Sequence, residues 1–224
     1  SQDYYFAEGT TRGDFQEWIT VQNPGPDPLT VNAVYQPAAG QGANVEKSYT
    51  IDAGKRHTIY VPQEVGEGKD VAVRLSSADP FLAERPMYFR YTGFGADHAG
   101  GDCVMGAPAP APEWFFAEGY TGPGFQEWLT LQNPGDSDAR VEITYFTQEA
   151  GALPARTVTV PARGRLNVRV NDDAGAGYQL SVRLRVLSGP DIVAERPMYF
   201  DFRGIRGGHV VVGYAPGGNE PAGS

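Results

Sequence analysis

The sequence predicts an all-β protein built as two tandem antiparallel β-sandwich domains related by internal duplication. Three observations carry that expectation: a long internal repeat, a period of two in the apolar residues, and turn clusters recurring every 8 to 12 residues. Sliding the chain against itself by 110 residues sets YYFAEGTTRGDFQEWITVQNPG (Tyr4 to Gly25) on WFFAEGYTGPGFQEWLTLQNPG (Trp114 to Gly135), with fourteen of 22 positions identical. The register then shifts by one, so that LAERPMYF (Leu82 to Phe89) falls on VAERPMYF (Val193 to Phe200), and His98 lands on His209. Each repeat has single-domain size.

The elements follow in order. FQEWITVQ reads as a strand closed by Asn-Pro-Gly, where Pro pre-sets φ and Gly tolerates positive φ. Val31, Ala33 and Tyr35 then alternate with polar residues, and Tyr49 to Ile51, His57 to Val61 and Val71 to Leu75 continue the pattern before FLAERPMYF. In the second repeat FQEWLTLQ is followed by Val141, Ile143 and Tyr145, then by Thr157 to Val160, Leu166 to Val170 and Leu180 to Val186. No stretch carries helical periodicity. The expected organisation is a sandwich over 1–106, an Ala/Pro linker over 107–112, a second sandwich over 113–216 and a Gly/Pro-rich tail over 217–224. The alternating prolines of the linker favour an extended, semi-rigid spacer. The tail resembles another such spacer, so the chain is expected to come from a longer tandem array.

Composition narrows the function classes. A net charge of −9 with scattered Lys and Arg offers no electropositive surface for nucleic acid. The apolar runs fall far short of the roughly 20 residues of a membrane helix. The single cysteine, Cys103, excludes an internal disulfide framework and a Cys-based zinc site, and is expected as an unreactive loop thiol. His98 and His209 are expected in loops. DDAG (Asp172 to Gly175) and GADHAGGD (Gly95 to Asp102) have the acidity to hold Ca²⁺, but solvated loops are the simpler account. No metal or cofactor is expected.

Strand parity makes the charged motifs informative. On FQEWITVQ, Glu17 shares a face with Phe15, Ile19 and Val21, and Glu127 does the same in the second repeat. Arg85 shares a face with Phe81, Ala83, Met87 and Phe89, as Arg196 does with its counterparts. Glu8 and Glu118 share parity with Phe6 and Phe116. Each repeat therefore points two carboxylates and one guanidinium inward, and buried charges persist only when paired. Arg85 is expected to bridge Glu17, Glu8 or both, and Arg196 to bridge Glu127 and Glu118. A glycosidase reading of these carboxylates requires an acid with a raised pKa, whereas a neighbouring Arg lowers it, so the protein is expected not to be an enzyme. Trp18 and Trp128 lie on the opposite faces beside Gln and Thr. With Trp114, Tyr4, Tyr88 and Tyr199 they are the candidate ligand or interface contacts.

The combination of FAEG, an F-x-E-W strand ending in NPG, and AERPMYF resembles a tandem repeat domain of unknown function in secreted and cell-surface proteins of high-GC Gram-positive and related bacteria. That resemblance implies an Ig-like sandwich and an extracellular location, and it lends no catalytic residues. The expected role is a structural or adhesive module of a cell-surface protein or extracellular filament. Its partners are then other copies of itself or neighbouring domains of a longer chain, with free sheet edges available for strand addition. Carbohydrate binding through Trp18, Trp128 and nearby Tyr side chains, to a cell-surface glycan, is the second expectation. A role as accessory domain of a secreted enzyme is the third.

Overall fold

The computed structural model describes residues 2–91 and 98–217, without the side chain of His98. The first repeat contributes β1 (Asp3–Phe6), β2 (Phe15–Gln22), β3 (Leu29–Pro37), β4 (Val45–Ile51), β5 (Arg56–Tyr60), α1 (Val61–Val65), β6 (Val71–Ser76), β7 (Leu82–Tyr91) and β8 (His98–Met105). The second contributes β9 (Glu113–Phe116), β10 (Phe125–Asn133), β11 (Ala139–Thr147), β12 (Gly151–Ala152), β13 (Arg156–Val160), β14 (Gly164–Arg169), α2 (Val170–Asp173), β15 (Leu180–Ser188), β16 (Val193–Phe202) and β17 (Ile205–Val212). Both helices are single turns where a strand ends, so the all-β expectation stands.

The strands form four antiparallel sheets. In the first repeat the orders are β1-β6-β3-β4 and β5-β2-β7-β8. In the second they are β9-β15-β11-β12, with β13 also on β11, and β14-β10-β16-β17. The duplication thus extends from sequence to strand order.

The expectation of two tandem Ig-like sandwiches, each standing alone on a spacer, is overturned: the strands form four sheets, two from each repeat, and the repeats pack directly on one another. The physical reason lies in what covers the second face of each sheet. Period-two alternation says that one face of a strand is apolar, and an isolated sandwich leaves the other in water. On β10 both faces are covered: Glu127, Leu129 and Leu131 are buried on one, and Gln126, Thr130 and Gln132 on the other. On β2 the matching Gln16 and Gln22 are exposed.

Two apolar clusters form the core. One gathers Phe6, Ile19, Val31, Tyr35, Leu75 and Phe81; the other gathers Trp114, Leu129, Ile143, Leu184 and Ile192. Strand β1 and the residue after it serve both, since Tyr4 and Phe6 enter the first cluster and Tyr5 and Ala7 the second. The connection between repeats is extended but pinned. Ala107 exchanges backbone hydrogen bonds of 2.9 Å with Tyr5, and Ala111 N–H donates to Ile192 O at 2.8 Å.

The Asn-Pro-Gly turns work differently from the expectation. Neither Gly25 nor Gly135 has positive φ. Asparagine makes the turn: Asn133 Oδ1 accepts from Gly135 N–H at 2.9 Å, while Nδ2 donates to Ser137 O and Val160 O. Asn23 repeats the arrangement with Gly25, Asp27 and Ile51.

Candidate functional site

The densest set of buried polar groups lies where the repeats meet. The FAEG segment after β1 brings Glu8 and Gly9 against β14 and β16, which supply Arg165 and Glu195. Arg85 on β7 donates from Nη1 to Glu195 Oε2 at 2.7 Å and to Glu8 O at 2.5 Å. Glu8 N–H donates to the same Glu195 oxygen at 2.8 Å. Arg165 reaches back, donating to Gly9 O at 2.7 Å and to Glu8 Oε2 at 3.1 Å. These charges are sealed, Arg85 being 1% exposed, Glu195 0%, Arg165 2% and Glu8 6%. Guanidinium forks suit the place because each serves a carboxylate and a carbonyl together.

Weaker contacts surround this chain of ions. Gln132 Nε2 donates to Gln36 Oε1 at 2.6 Å, and Val210 N–H donates to Asp102 Oδ2 at 2.7 Å. Tyr199 stacks on Tyr91, with ring centroids 4.1 Å apart, and meets Phe15 and Phe89 edge-on. A cleft of about 230 Å³ opens beside the ions, lined by Glu8, Arg12, Asp70, Trp128, Asn167 and Tyr199 among others.

The pairing expected within each repeat is not the one formed. Arg85 does meet Glu8, but through the backbone carbonyl, and its carboxylate partner is Glu195 of the other repeat. Glu17 is buried beside it with neither carboxylate oxygen hydrogen-bonded among the described residues. Arg196 forms no ion pair there either; its Nη1 contacts Met198 Sδ at 3.8 Å, and Glu118 is exposed. Glu195 neighbours Arg196 on β16 and so lies on the face away from its own core. That face turns to the first repeat rather than to water, so Glu195 and Arg165 escape a reading made one repeat at a time.

The direction of the carboxylate shifts is also reversed. Burial pushes Glu17 up to about 8, against the opposing charges of Arg85 and Arg165, with Glu8 and Glu195 adding to the rise. Burial pushes Glu127 up to about 7, opposed by Arg196 and the Tyr120 backbone amide. Desolvation therefore outweighs the guanidinium field.

The aromatic candidates separate into three groups. Trp114 and Tyr4 are core residues: Trp114 is 0% exposed with Nε1 donating to Ile192 O at 2.8 Å, and Tyr4 packs edge-on to Phe81. Tyr199 and Trp128 belong to the junction, Trp128 also carrying the Arg169 guanidinium over its ring. Trp18, half-buried against Tyr60, and Tyr88, 57% exposed, remain available at the surface.

His209 lies on β17 and not in a loop, and strand register sets it opposite Met198 as Asp102 is set opposite Met87, so its counterpart is Asp102 rather than His98. Cys103 likewise lies on a strand, β8, with its thiol 3.9 Å from Glu84 Oε2. Asp172 and Asp173 of the DDAG stretch belong to α2, where the Tyr145 hydroxyl donates to Asp173. Among the described residues no cluster of His, Cys, Asp or Glu is placed to hold a metal, and no helix is long and apolar enough to cross a membrane. Residues 95–97 of the second acidic stretch and residues 218–224 of the tail lie outside the described residues.

Comparison with known proteins gives little about activity. No curated protein matches the chain. Among solved structures, Thermotoga maritima 1070 is similar at 20% identity and a TM-score of 0.44, over 49% of this chain and 98% of that one. The Anabaena sensory rhodopsin transducer is similar at 30% identity and a TM-score of 0.35, over 39% of this chain and 96% of that one. A protein-family model described as a family of unknown function, DUF5719, matches residues 92–193, which is consistent with the chain carrying a domain of unknown function.

Proposed function

We propose that the chain is a non-enzymatic structural or adhesive module of a bacterial cell-surface protein or extracellular filament. The observation that carries this reading is the junction. Buried ions, stacked rings and a pinned linker hold the two repeats in one fixed relation, which a spacer or scaffold uses directly. The carboxylates with raised pKa, which acid catalysis would need, are Glu17, Glu127 and Glu195; all three are 0% exposed and offer a substrate no approach. The FAEG, FQEW and AERPMYF motifs, by their resemblance to repeats of secreted proteins in high-GC Gram-positive bacteria, support an extracellular location.

Carbohydrate binding is the second reading, favoured by the half-buried Trp18–Tyr60 pair and by Trp128 in the junction cleft. A glycan array run with the wild-type chain and with Trp18→Ala and Trp128→Ala decides between them. The module reading expects no retained glycan; retention that either substitution abolishes would overturn it in favour of a sugar-binding module.

A further inference from the structure

The contact between repeats is heterologous: the first repeat uses one face and the second uses a different one. Were it reciprocal, Arg196 would pair with Glu84 as Arg85 pairs with Glu195, and among the described residues it does not. Each repeat therefore carries both faces, and the chain leaves one of each uncovered.

Strand register identifies the uncovered counterparts. Glu84 stands opposite Thr20 as Glu195 stands opposite Thr130, Arg56 opposite Gln22 as Arg165 opposite Gln132, and Tyr88 opposite Gln16 as Tyr199 opposite Gln126. The residue types agree at all of these positions, but the exposure does not. Glu195, Arg165, Gln132, Gln126 and Tyr199 are buried by the first repeat, whereas Glu84, Arg56, Gln22, Gln16 and Tyr88 are exposed. The uncovered face of the first repeat thus duplicates a buried interface side chain for side chain.

The second repeat offers the complementary surface. Glu118, the counterpart of Glu8, is exposed, and Arg196, the counterpart of Arg85, is 3% exposed with its Nε unpartnered. Glu118, Tyr120, Phe125, Phe146, Gln179 and Phe202 line an open cleft where the first repeat carries its contacts to the second. Phe146 and Phe202 are 40% and 47% exposed. Phe202 stands where Tyr91 stacks on Tyr199, and Phe146 where Gln36 bonds Gln132, so this surface is more apolar than its counterpart.

We propose that these two faces bind each other between molecules, so that a second copy of this chain docks head to tail through the contact that joins the repeats. Arg196 then meets Glu84 of the second molecule, Glu118 meets its Arg56, and its Tyr88 enters the cluster of Phe125, Phe200 and Phe202. The contact is face to face and does not use strand addition at sheet edges. A heterologous contact either closes into a ring or extends as a series, and both outcomes use the same residues. The inference deepens the assembly side of the module reading, yet it rests on separate observations and stands or falls without the glycan result.

The test uses charge reversal at positions whose side chains are already exposed, so that folding is spared. Light scattering and sedimentation are measured on the wild-type chain, on Arg56→Glu, on Glu118→Arg, and on an equal mixture of the two variants. The wild-type chain is expected to associate with rising concentration, each variant alone to weaken association by at least about tenfold, and the mixture to recover it, since each variant's altered face then meets an opposite charge. A wild-type chain that stays monomeric through the micromolar range, or variants that associate as well as the wild type, would overturn the proposal.

Discussion

At the scale of residues, the informative contest is between desolvation and charge pairing. Glu17 lies among Arg85, Arg165, Glu8 and Glu195, and burial still raises its pKa to about 8. A carboxyl that binds its proton more tightly when folded contributes stability that is fully present below the ordinary value near 4.5 and is lost as pH rises through 8. Glu127 adds a loss of the same sign, which is complete once pH has risen through about 7. Each unit of upward shift corresponds to about 1.4 kcal/mol once the group ionises. The melting temperature should therefore fall between about pH 5 and 8 and level off above, and Glu17→Gln should flatten that slope; an equal slope in the variant would show that Glu17 is not the group responsible. Arg85→Leu removes the cation that holds Glu195, and stranding a buried partner costs roughly 3–5 kcal/mol. For a chain of this length that is a fall on the order of 10 °C in melting temperature, and an unmoved melting curve would mean that the ion chain contributes nothing to holding the repeats.

At the scale of elements, much was legible in the sequence. Period-two alternation located the strands and placed Glu17, Glu127 and Arg85 on inward faces, because in a strand parity alone fixes direction. Parity carries no information about what lies beyond the outward face. The same FQEW strand is covered on both faces in the second repeat and on one in the first, although the residue types are nearly the same, and this is why Glu195, Arg165 and the packing of one repeat on the other were not foreseen. Turn chemistry was half legible: Asn-Pro-Gly marked the turn, but the Asn side chain, and not glycine's conformational freedom, carries it. Asn23→Ala leaves the Ile51 and Asp27 carbonyls without their donor and should cost about 1–3 kcal/mol, measured by denaturant unfolding. Gly9→Ala should cost at least as much, because a Cβ there would lie 2.4 Å from both Glu17 Oε1 and Val71 O. Near-neutral behaviour of Gly9→Ala would mean that the FAEG segment does not pack as closely on Glu17 as described.

At the scale of the whole molecule, duplication produced two units that are alike in strand order and unlike in exposure. That difference is what a heterologous contact imposes: one repeat spends its Glu8 face, the other its Glu195 face, and the leftover faces point outward. The central claim is that the contact makes the repeats one structural unit rather than two domains on a spacer. Differential scanning calorimetry tests it most directly, through the ratio of calorimetric to van't Hoff enthalpy of the wild-type chain. The account predicts a single transition with a ratio near one, and two resolved transitions, one per repeat, would contradict it.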